Sequence, residues 1–409
     1  MSTVAHKHIA AAWEMVWQKL FLPQWNVFRD YTCTESSFEE ELPTLDEIKA
    51  QVPNPCGWGT VLENCMLNNG SMLECLIYKW QNSRSEEDKN LIRKVYRGMS
   101  DCMAAGKTPG FLPRSISPLD GRSYYINSSR DQYTHFVYSM WMYFHSGLAD
   151  EKEKAEIIRN LKAIADRGYR NVTPENNYNM LRDDGKPGIV DAMRKNVGYH
   201  EVMRLPMFYL AAWDVSGEQK YMDYYREILP EALDFNKKID FKRNWKAFAL
   251  LQMQYSLYLI WKVEKEPAVR DAVRKIMNDT AIYARRYVTE TSQGIDKKLY
   301  NWNLSPRPWR KRLMSYNDFI GGYAYITCGL GTELPNTFTP LRSAGEALII
   351  QALAPDVGIS PEQIAGFEKI INDVDFSKHH TYAAILVLGG WYIHKAKTGG
   401  TVIQNGDSI

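Results

Sequence analysis

The sequence lacks the short motifs that mark several large enzyme classes. It contains no Walker loop, no GxGxxG motif and no GxSxG nucleophile elbow, so neither a nucleotide cofactor nor α/β-hydrolase chemistry is indicated. We therefore expect no cofactor. The 6 cysteines include no CxxC pair, which argues against zinc and thioredoxin-like sites. We expect buried thiols, with one disulfide among the five N-terminal cysteines left open.

An excess of charge of one sign is also missing. There are 50 Lys and Arg against 48 Asp and Glu, a net charge of +2, so no nucleic-acid partner is expected. No apolar run is long enough to span a membrane, so no membrane partner is expected. Residues 1–20 contain Lys7, Glu14 and Lys19 and predict an amphipathic helix, not a signal peptide. We expect a periplasmic or secreted protein if a signal has been removed, and otherwise a cytoplasmic one.

Aromatic side chains, in contrast, are abundant. They make up 12% of the chain, with 12 Trp and 25 Tyr, in a composition that is 45% hydrophobic and 24% charged. Such a composition is typical of a globular protein with a sizeable core. The aromatic rings suit surfaces on which sugar rings stack, and they equally suit aromatic-rich packing between helices.

Helical periodicity recurs along the chain, and sustained period-two alternation is missing. Residues 4–21 and a short segment at 44–50 are predicted to be helical. The other predicted helices form six pairs: 60–81 with 86–105, 129–147 with 150–168, 198–214 with 218–235, 241–263 with 266–289, 316–330 with 339–353, and 360–372 with 378–396.

Six helical hairpins indicate either a closed (α/α)6 toroid or an open α-solenoid. A solenoid shows a fixed sequence repeat, and none is found. The links 106–128, 169–197 and 290–315 are long, which favours a toroid with a loop-built cleft at one mouth. The sequence thus predicts one all-α domain over residues 1–409, with residues 1–58 as a helix and an irregular segment packed on it.

Three stretches resemble a known superfamily. The junction 214–221, which reads Asp-Val-Ser-Gly-Glu-Gln-Lys-Tyr, and the segment 184–187, Asp-Gly-Lys-Pro, resemble the six-hairpin glycosidase superfamily. Residues 120–144 resemble the same stretch in poorly characterised bacterial members. The resemblance covers residues 60–396 by architecture. It implies a carbohydrate-active toroid for polysaccharide degradation, either a hydrolase or a lyase.

Residues 120–144 are the stretch around which a site is predicted. They begin as a loop and continue as a largely apolar helix, for which Ser128 or Ser129 is the expected N-cap. Arg130, Asp131 and His135 follow near its beginning. Ionisable groups on an apolar helix cost free energy unless they are paired, so this helix end indicates a site. Simple capping of the helix dipole is the alternative.

Glycoside hydrolysis requires two carboxyl groups. Asp131 is predicted to be the proton donor, with its pKa raised by apolar neighbours such as Tyr133 and Phe136. Asp318 or Glu63 is the expected second carboxylate, because each is predicted at the beginning of an inner helix. N-terminal capping is the alternative for both.

His200 and Arg204 are predicted to share one helical face, with a kink at Pro206. Together they suit a carboxylate, which predicts an acidic, uronate-containing oligo- or polysaccharide as the substrate. A structural ion pair of Arg204 with a neighbouring acid is the alternative. A polysaccharide lyase, using Tyr316 or His200 with Asn317 or Arg204, remains a second hypothesis. A non-catalytic glycan-binding protein is a third.

Further substrate contacts are expected on the 120–144 helix and in the loop 290–315. The predicted residues are Arg130, Tyr133, His135, Asn301, Trp302 and Trp309. Buried packing is the alternative for the loop tryptophans. The pair His379-His380 lacks a third ligand, so no metal is expected. The sequence leaves the oligomeric state open.

Overall fold

The computed structural model describes residues 3–312 and 315–398, without the side chains at 3, 316–318 and 327. In these residues it contains fifteen α-helices and two small antiparallel hairpins. The helices are α1 (Thr3–Met15), α2 (Phe38–Glu41), α3 (Leu45–Lys49), α4 (Cys65–Ser83), α5 (Glu86–Ala105), α6 (Arg130–His145), α7 (Glu151–Asn171), α8 (Arg204–Ser216), α9 (Gln219–Asn236), α10 (Ala247–Val263), α11 (Pro267–Asp296), α12 (Leu330–Glu333), α13 (Phe338–Leu353), α14 (Pro361–Asp373) and α15 (Ala383–Thr398).

Six of these helices form a closed inner ring. In ring order they are α4, α6, α8, α10, α13 and α15, and α15 packs against α4 to complete the circle. The helices α5, α7, α9, α11, α14 and α1 pack around them. This is the (α/α)6 toroid predicted from the six hairpins, so the predicted fold class is confirmed.

The two layers differ in how much of each helix is buried. The inner helix α10 buries nearly all of its side chains, whereas the outer helix α7 buries mainly one stripe that includes Ile157, Leu161 and Ile164. A helix that is apolar all round must be enclosed, and an amphipathic helix covers a core with one face. The hydrophobic patterns of the two helices therefore assign them to the inner and outer layers.

The predicted helix at 316–330 is wrong. The strands β3 (Ser315–Ile320) and β4 (Tyr323–Thr327) pair there in an antiparallel hairpin, followed by the short helix α12. Gly321 and Gly322 both have positive φ, 58° and 88°. A two-residue turn of this kind suits glycine and joins adjacent strands. Another short hairpin joins β1 (Phe21–Leu22) to β2 (Val27–Phe28).

The last two predicted helix pairs also differ from the structure. The helix α14 packs against α11 and α13, and the outer neighbours of α15 include α1. Trp13 of α1 lies 6.0 Å from Tyr392 of α15 between ring centroids, and His6 lies 5.2 Å from Trp391. Because residues 315–327 form a hairpin, the sixth outer position is filled from the opposite end of the chain.

The close approach of α13 and α15 gives a stability prediction. A Cβ atom built on Gly345 would lie 2.4 Å from the backbone carbonyl carbon and oxygen of Leu386. We expect Gly345→Ala to lower the free energy of unfolding by about 1–3 kcal/mol, the usual cost of overpacking. Urea unfolding measures this change.

Gly331→Ala is the matched control for that variant. The added Cβ would lie 3.4 Å from Thr339 Oγ1, an ordinary contact. We expect a change of no more than about 0.5 kcal/mol, as at most surface positions. Equal stability of Gly345→Ala and the unchanged protein would contradict the tight contact between α13 and α15.

All six inner helices begin at the same end of the barrel. Residues at or just before their first turns line two adjoining cavities there: Asn64, Ser129, Arg204, Ala247, Phe338 and Tyr382. The N-terminus of a helix carries a partial positive charge and unpaired N–H groups. This arrangement directs six positive helix ends towards one mouth, which is where the candidate site lies.

Candidate functional site

Two cavities of different chemistry adjoin at this mouth. The first, which we call the guanidinium cavity, has a volume of about 360 Å³. Its arginines are Arg114, Arg130, Arg204 and Arg342. The second, which we call the aromatic cavity, has a volume of about 520 Å³. Its aromatic residues are Trp245, Phe248, Tyr287, Tyr300, Phe338 and Tyr382. Five residues line both cavities: Glu63, Asn64, Phe248, Arg342 and Tyr382.

The long links between helix pairs contribute to the walls. Arg114 belongs to the link 106–128, Val190 to the link 169–197 and Tyr300 to the link 290–315. Arg114 is held in place because Nε donates to the Glu63 carbonyl at 2.9 Å and Nη1 donates to Ser129 Oγ at 2.9 Å. The three predicted links therefore do meet at one cleft.

Asp131 lies in the first turn of α6, after the N-cap Ser129. Its Oδ1 accepts a hydrogen bond from Arg204 Nη1 at 2.9 Å, and 34% of the side chain is open to the cavity. Burial acts to raise the pKa of Asp131, but the charges of Arg204 and Arg130 outweigh burial and lower the pKa to about 2. The predicted raised pKa is wrong, so Asp131 is ionised at neutral pH and is unsuited to donate a proton.

Arg130 forms a second ion pair in the same cavity. Its Nη2 lies 2.7 Å from Glu201 Oε1, and its Nη1 donates to the Ala192 carbonyl at 3.0 Å. Glu201 Oε2 also accepts from the backbone N–H of Gly198 at 2.7 Å. Adjacent residues on a helix point in different directions, so Arg130 and Asp131 have different partners.

His200 lines the guanidinium cavity but does not share a helical face with Arg204. The helix α8 begins only at Arg204, and His200 lies in the preceding turn. Pro206 falls in the first turn of α8, where a missing N–H breaks no helical bond, so the predicted kink is wrong. Burial lowers the pKa of His200 despite the nearby carboxylate of Glu201, so the imidazole is neutral at neutral pH.

Glu346 is a cavity carboxyl group that sequence reasoning missed. It lies one turn after Arg342 on α13, and Arg342 Nε donates to its Oε1 at 2.6 Å. Burial raises the pKa of Glu346 to about 7 although Arg342 opposes the shift, and the charge of Asp131 adds to it. An Arg and a Glu four residues apart in an otherwise apolar helix were the available signal.

Arg342 occupies the boundary between the two cavities. Its guanidinium lies 5.0 Å from the ring centroid of Phe248, 5.7 Å from that of Phe338 and 5.3 Å from that of Tyr382. Its Nη1 donates to the Tyr382 hydroxyl at 2.7 Å. Cation–π contacts together with the Glu346 ion pair hold this side chain in one position.

Glu63 also lies at the boundary, just before α4 begins at Cys65. Its Oε2 accepts from the backbone N–H of Gly59 at 2.8 Å. The structure thus brings Glu63 and Asp131 to one cavity. Behind Glu63, burial raises the pKa of Asp30 to about 8, with a further contribution from the charge of Glu63.

Asp318 does not begin an inner helix. It lies in β3, where its backbone pairs with Tyr325 of β4, so the predicted helix start is wrong. The side chains of Asp318, Tyr316 and Asn317 lie outside the described residues.

Tyr133 and His135 are buried in the core and line neither cavity. The Tyr133 hydroxyl donates towards the Gly110 carbonyl at 3.4 Å and accepts from the Leu112 N–H at 3.2 Å. His135 Nδ1 lies 3.1 Å from Ser71 Oγ, and burial lowers the pKa of His135 to about 3. The structure gives both residues a packing role.

The loop tryptophans are also buried for packing. Trp302 donates from Nε1 to Asp373 at 2.7 Å, and Trp309 donates from Nε1 to the Glu41 carbonyl at 3.0 Å. Asn301 is exposed and lines neither cavity. The ring that this loop does place in the aromatic cavity is Tyr300.

All six cysteines are buried free thiols, so the disulfide left open by the sequence does not form. His379 Nε2 lies 2.8 Å from Thr381 Oγ1. Within residues 3–312 and 315–398, no three His, Cys, Asp or Glu side chains are grouped so as to hold a metal ion. In the same part of the chain, no helix combines the length and the apolar character needed to cross a membrane.

Comparison with known proteins adds little to this geometry. No protein-family model matches the sequence, and no curated protein matches it, so the six-hairpin glycosidase resemblance has no family match behind it. Among solved structures, the chain is similar to a sugar epimerase from a ruminal bacterium. The two share 9% identity and a TM-score of 0.49 over 96% of this chain and 99% of that one. At these values the likeness carries no conclusion, and the (α/α)6 fold rests on the helix contacts of this chain itself.

Proposed function

We propose that the protein is a glycoside hydrolase in which Glu346 is the proton donor and Asp131 is the ionised partner. One observation carries the proposal. Two carboxyl groups line adjoining cavities, and their surroundings push their pKa values apart, to about 7 and about 2. Pairs of titratable groups separated in this way are typical of an acid and a base in one site.

The chemistry of hydrolysis fits this division of roles. Glu346, whose pKa burial raises to about 7, gives its proton to the glycosidic oxygen as the bond to the anomeric carbon breaks. Asp131 supplies the negative charge that assists attack on the anomeric carbon. Arg204 binds only its Oδ1, which leaves the rest of the carboxylate open to the cavity.

The walls of the aromatic cavity support a saccharide as the substrate. Its rings include Trp245, Tyr287 and Tyr300, and the polar side chains of Asn244 and Ser343 line the same cavity. Sugar rings stack their C–H faces on aromatic rings and use their hydroxyls for hydrogen bonds. A mostly apolar pocket with a few directed polar groups is the usual form of a small-molecule site.

The pH dependence of hydrolysis tests the assignment. We expect kcat/KM on a susceptible oligosaccharide, measured as new reducing ends, to fall tenfold per pH unit above about pH 7. The reason is that Glu346 then loses the proton it must donate. Asp131 stays ionised down to about pH 2, so it causes no loss between pH 4 and 7. Activity that increases as the pH rises through 7 would contradict Glu346 as the acid.

A polysaccharide lyase is the second candidate, because the neutral His200 lies in the guanidinium cavity with Arg130 and Arg204. A base and a cation beside a uronate carboxylate are the requirements for β-elimination. Both reactions create reducing ends, so ultraviolet absorbance is recorded beside the reducing-end assay, because only a lyase product absorbs through its new double bond. Binding of glycans without any product would indicate the glycan-binding alternative.

A further inference from the structure

The two cavities differ in charge as well as in shape. The guanidinium cavity contains four arginines against the three carboxylates of Glu63, Asp131 and Glu201. In the aromatic cavity, Lys246 and Arg342 face three acids, which are Glu63, Glu290 and Glu346. The surplus of positive charge therefore lies on one side of the shared boundary.

Arg204, which lines the guanidinium cavity, has hydrogen-bonding capacity that the protein does not use. Its side chain is 1% exposed, and a guanidinium carries five N–H donors. Among the described residues it donates one side-chain hydrogen bond, to Asp131, and its Nε has no acceptor. The buried Nε of Arg130 also has no acceptor. Burying unpaired donors costs free energy, so an anionic ligand that accepts hydrogen bonds from these two arginines is favoured.

Helix ends add to the same field. The helices α4, α6 and α8 begin at this cavity, where Asn64, Ser129 and Arg204 line it. Their partial positive charges favour an anion. The helix ends thus favour an anion at the shared mouth, and the surplus of arginines assigns that anion to the guanidinium cavity.

The proposed catalytic groups lie on opposite sides of the boundary. Asp131 lines the guanidinium cavity and Glu346 lines the aromatic cavity. In glycoside hydrolysis the proton donor faces the leaving group, and the other carboxylate faces the sugar that is attacked. The leaving group therefore belongs in the aromatic cavity, and the attacked sugar belongs in the guanidinium cavity.

We propose that the substrate is an oligosaccharide that ends in a uronic acid, and this inference rests on the hydrolase proposal. The uronic acid binds in the guanidinium cavity, with its carboxylate on Arg130 and Arg204. The neighbouring neutral sugar stacks in the aromatic cavity. The bond between the uronate anomeric carbon and the glycosidic oxygen breaks, water supplies the new hydroxyl, and Glu346 protonates the departing oxygen. The product is the free uronic acid monosaccharide. A planar carboxylate is the anion that best matches the fork of a guanidinium.

A matched pair of substrates tests this orientation. A set of uronosyl oligosaccharides is compared with the same set after chemical reduction of each carboxyl group to a hydroxymethyl group, so that linkage and shape are kept. We expect release of monomeric uronic acid, and kcat/KM at least about a hundredfold lower on the reduced set, because a site built for a charged group rejects an analogue that lacks it.

Arg130→Gln is the informative variant, because Arg130 does not touch Asp131. We expect the preference for acidic over reduced substrates to fall by about tenfold or more, mainly through KM, with the loss of one charge-assisted contact. Arg194→Gln is the matched control. It removes an arginine that pairs with Glu231 outside both cavities, and the preference should stay unchanged. The comparison of substrates on the unaltered protein stands even if Arg130→Gln does not fold.

The possible results separate the two proposals. Equal or faster hydrolysis of the reduced set, or release of internal fragments, overturns the orientation and leaves the hydrolase standing. No hydrolysis of either set overturns the hydrolase. In that case calorimetric binding of glucuronate but not glucose, weakened by Arg130→Gln, still supports the anion subsite. Tighter binding of glucose 6-sulfate than of glucuronate overturns the choice of a carboxylate.

Discussion

Glu346→Gln is expected to lower kcat on an unactivated oligosaccharide by about 10²–10⁴-fold, the usual contribution of a general acid. Glutamine keeps the shape and can still accept from Arg342, which now donates to Glu346 Oε1 at 2.6 Å. It has no proton to give to the glycosidic oxygen. Initial rates of reducing-end formation, together with circular dichroism to confirm folding, measure the effect.

The leaving group distinguishes loss of the acid from general damage. Dinitrophenolate departs without protonation. Glu346→Gln should therefore hydrolyse a dinitrophenyl glycoside nearly as fast as the unaltered protein does. The decline of activity above about pH 7, expected for the unaltered protein, should also be missing in Glu346→Gln. Equal losses on both classes of substrate would contradict the proton-donor role.

Glu264→Gln is the matched control for Glu346→Gln. Glu264 is also a buried glutamate paired with an arginine, Arg226, at 2.7 Å, and it follows the C-terminal end of α10. The same chemical change there should leave turnover intact. Any loss of stability should be seen in both variants. A loss of activity in Glu346→Gln alone would therefore come from the position of Glu346 in the cavity.

Asp131→Asn is expected to lower turnover by about a hundredfold or more on activated and unactivated substrates alike. The reason is that attack on the anomeric carbon is needed for every leaving group. Stability should also fall, since Arg204 would be left as a buried charge without its carboxylate. Rates on the dinitrophenyl glycoside and the midpoint of thermal unfolding measure the two effects separately.

A double variant separates folding from chemistry at this position. Asp131→Asn combined with Arg204→Gln removes both charges of the ion pair, including the buried guanidinium, so it should recover part of the lost stability. It should not recover turnover. Full activity of a folded Asp131→Asn protein would remove this residue from the mechanism.

The sequence by itself determined most of the helices and the position of Asp131 at the beginning of α6. Apolar residues at helical spacing predict the twelve helices α1, α4–α11 and α13–α15, with ends that differ from the structure by up to 7 residues. This is possible because side-chain periodicity is a local property of the backbone. The cap at Ser129 is likewise local, since Ser129 Oγ accepts from the N–H of Gln132 three residues later. The beginning of α6, with Arg130 and Asp131 in its first turn, therefore followed from sequence.

Partners distant in sequence were decided by the tertiary structure. Arg204 lies 73 residues from Asp131, and only ring closure brings its charge close enough to lower the pKa of that carboxyl group. Glu346 has a raised pKa because surrounding helices remove it from water. The position of α1 in the outer layer was also decided by the tertiary structure. Burial and pairing depend on which surfaces meet in space, and local periodicity does not contain that information.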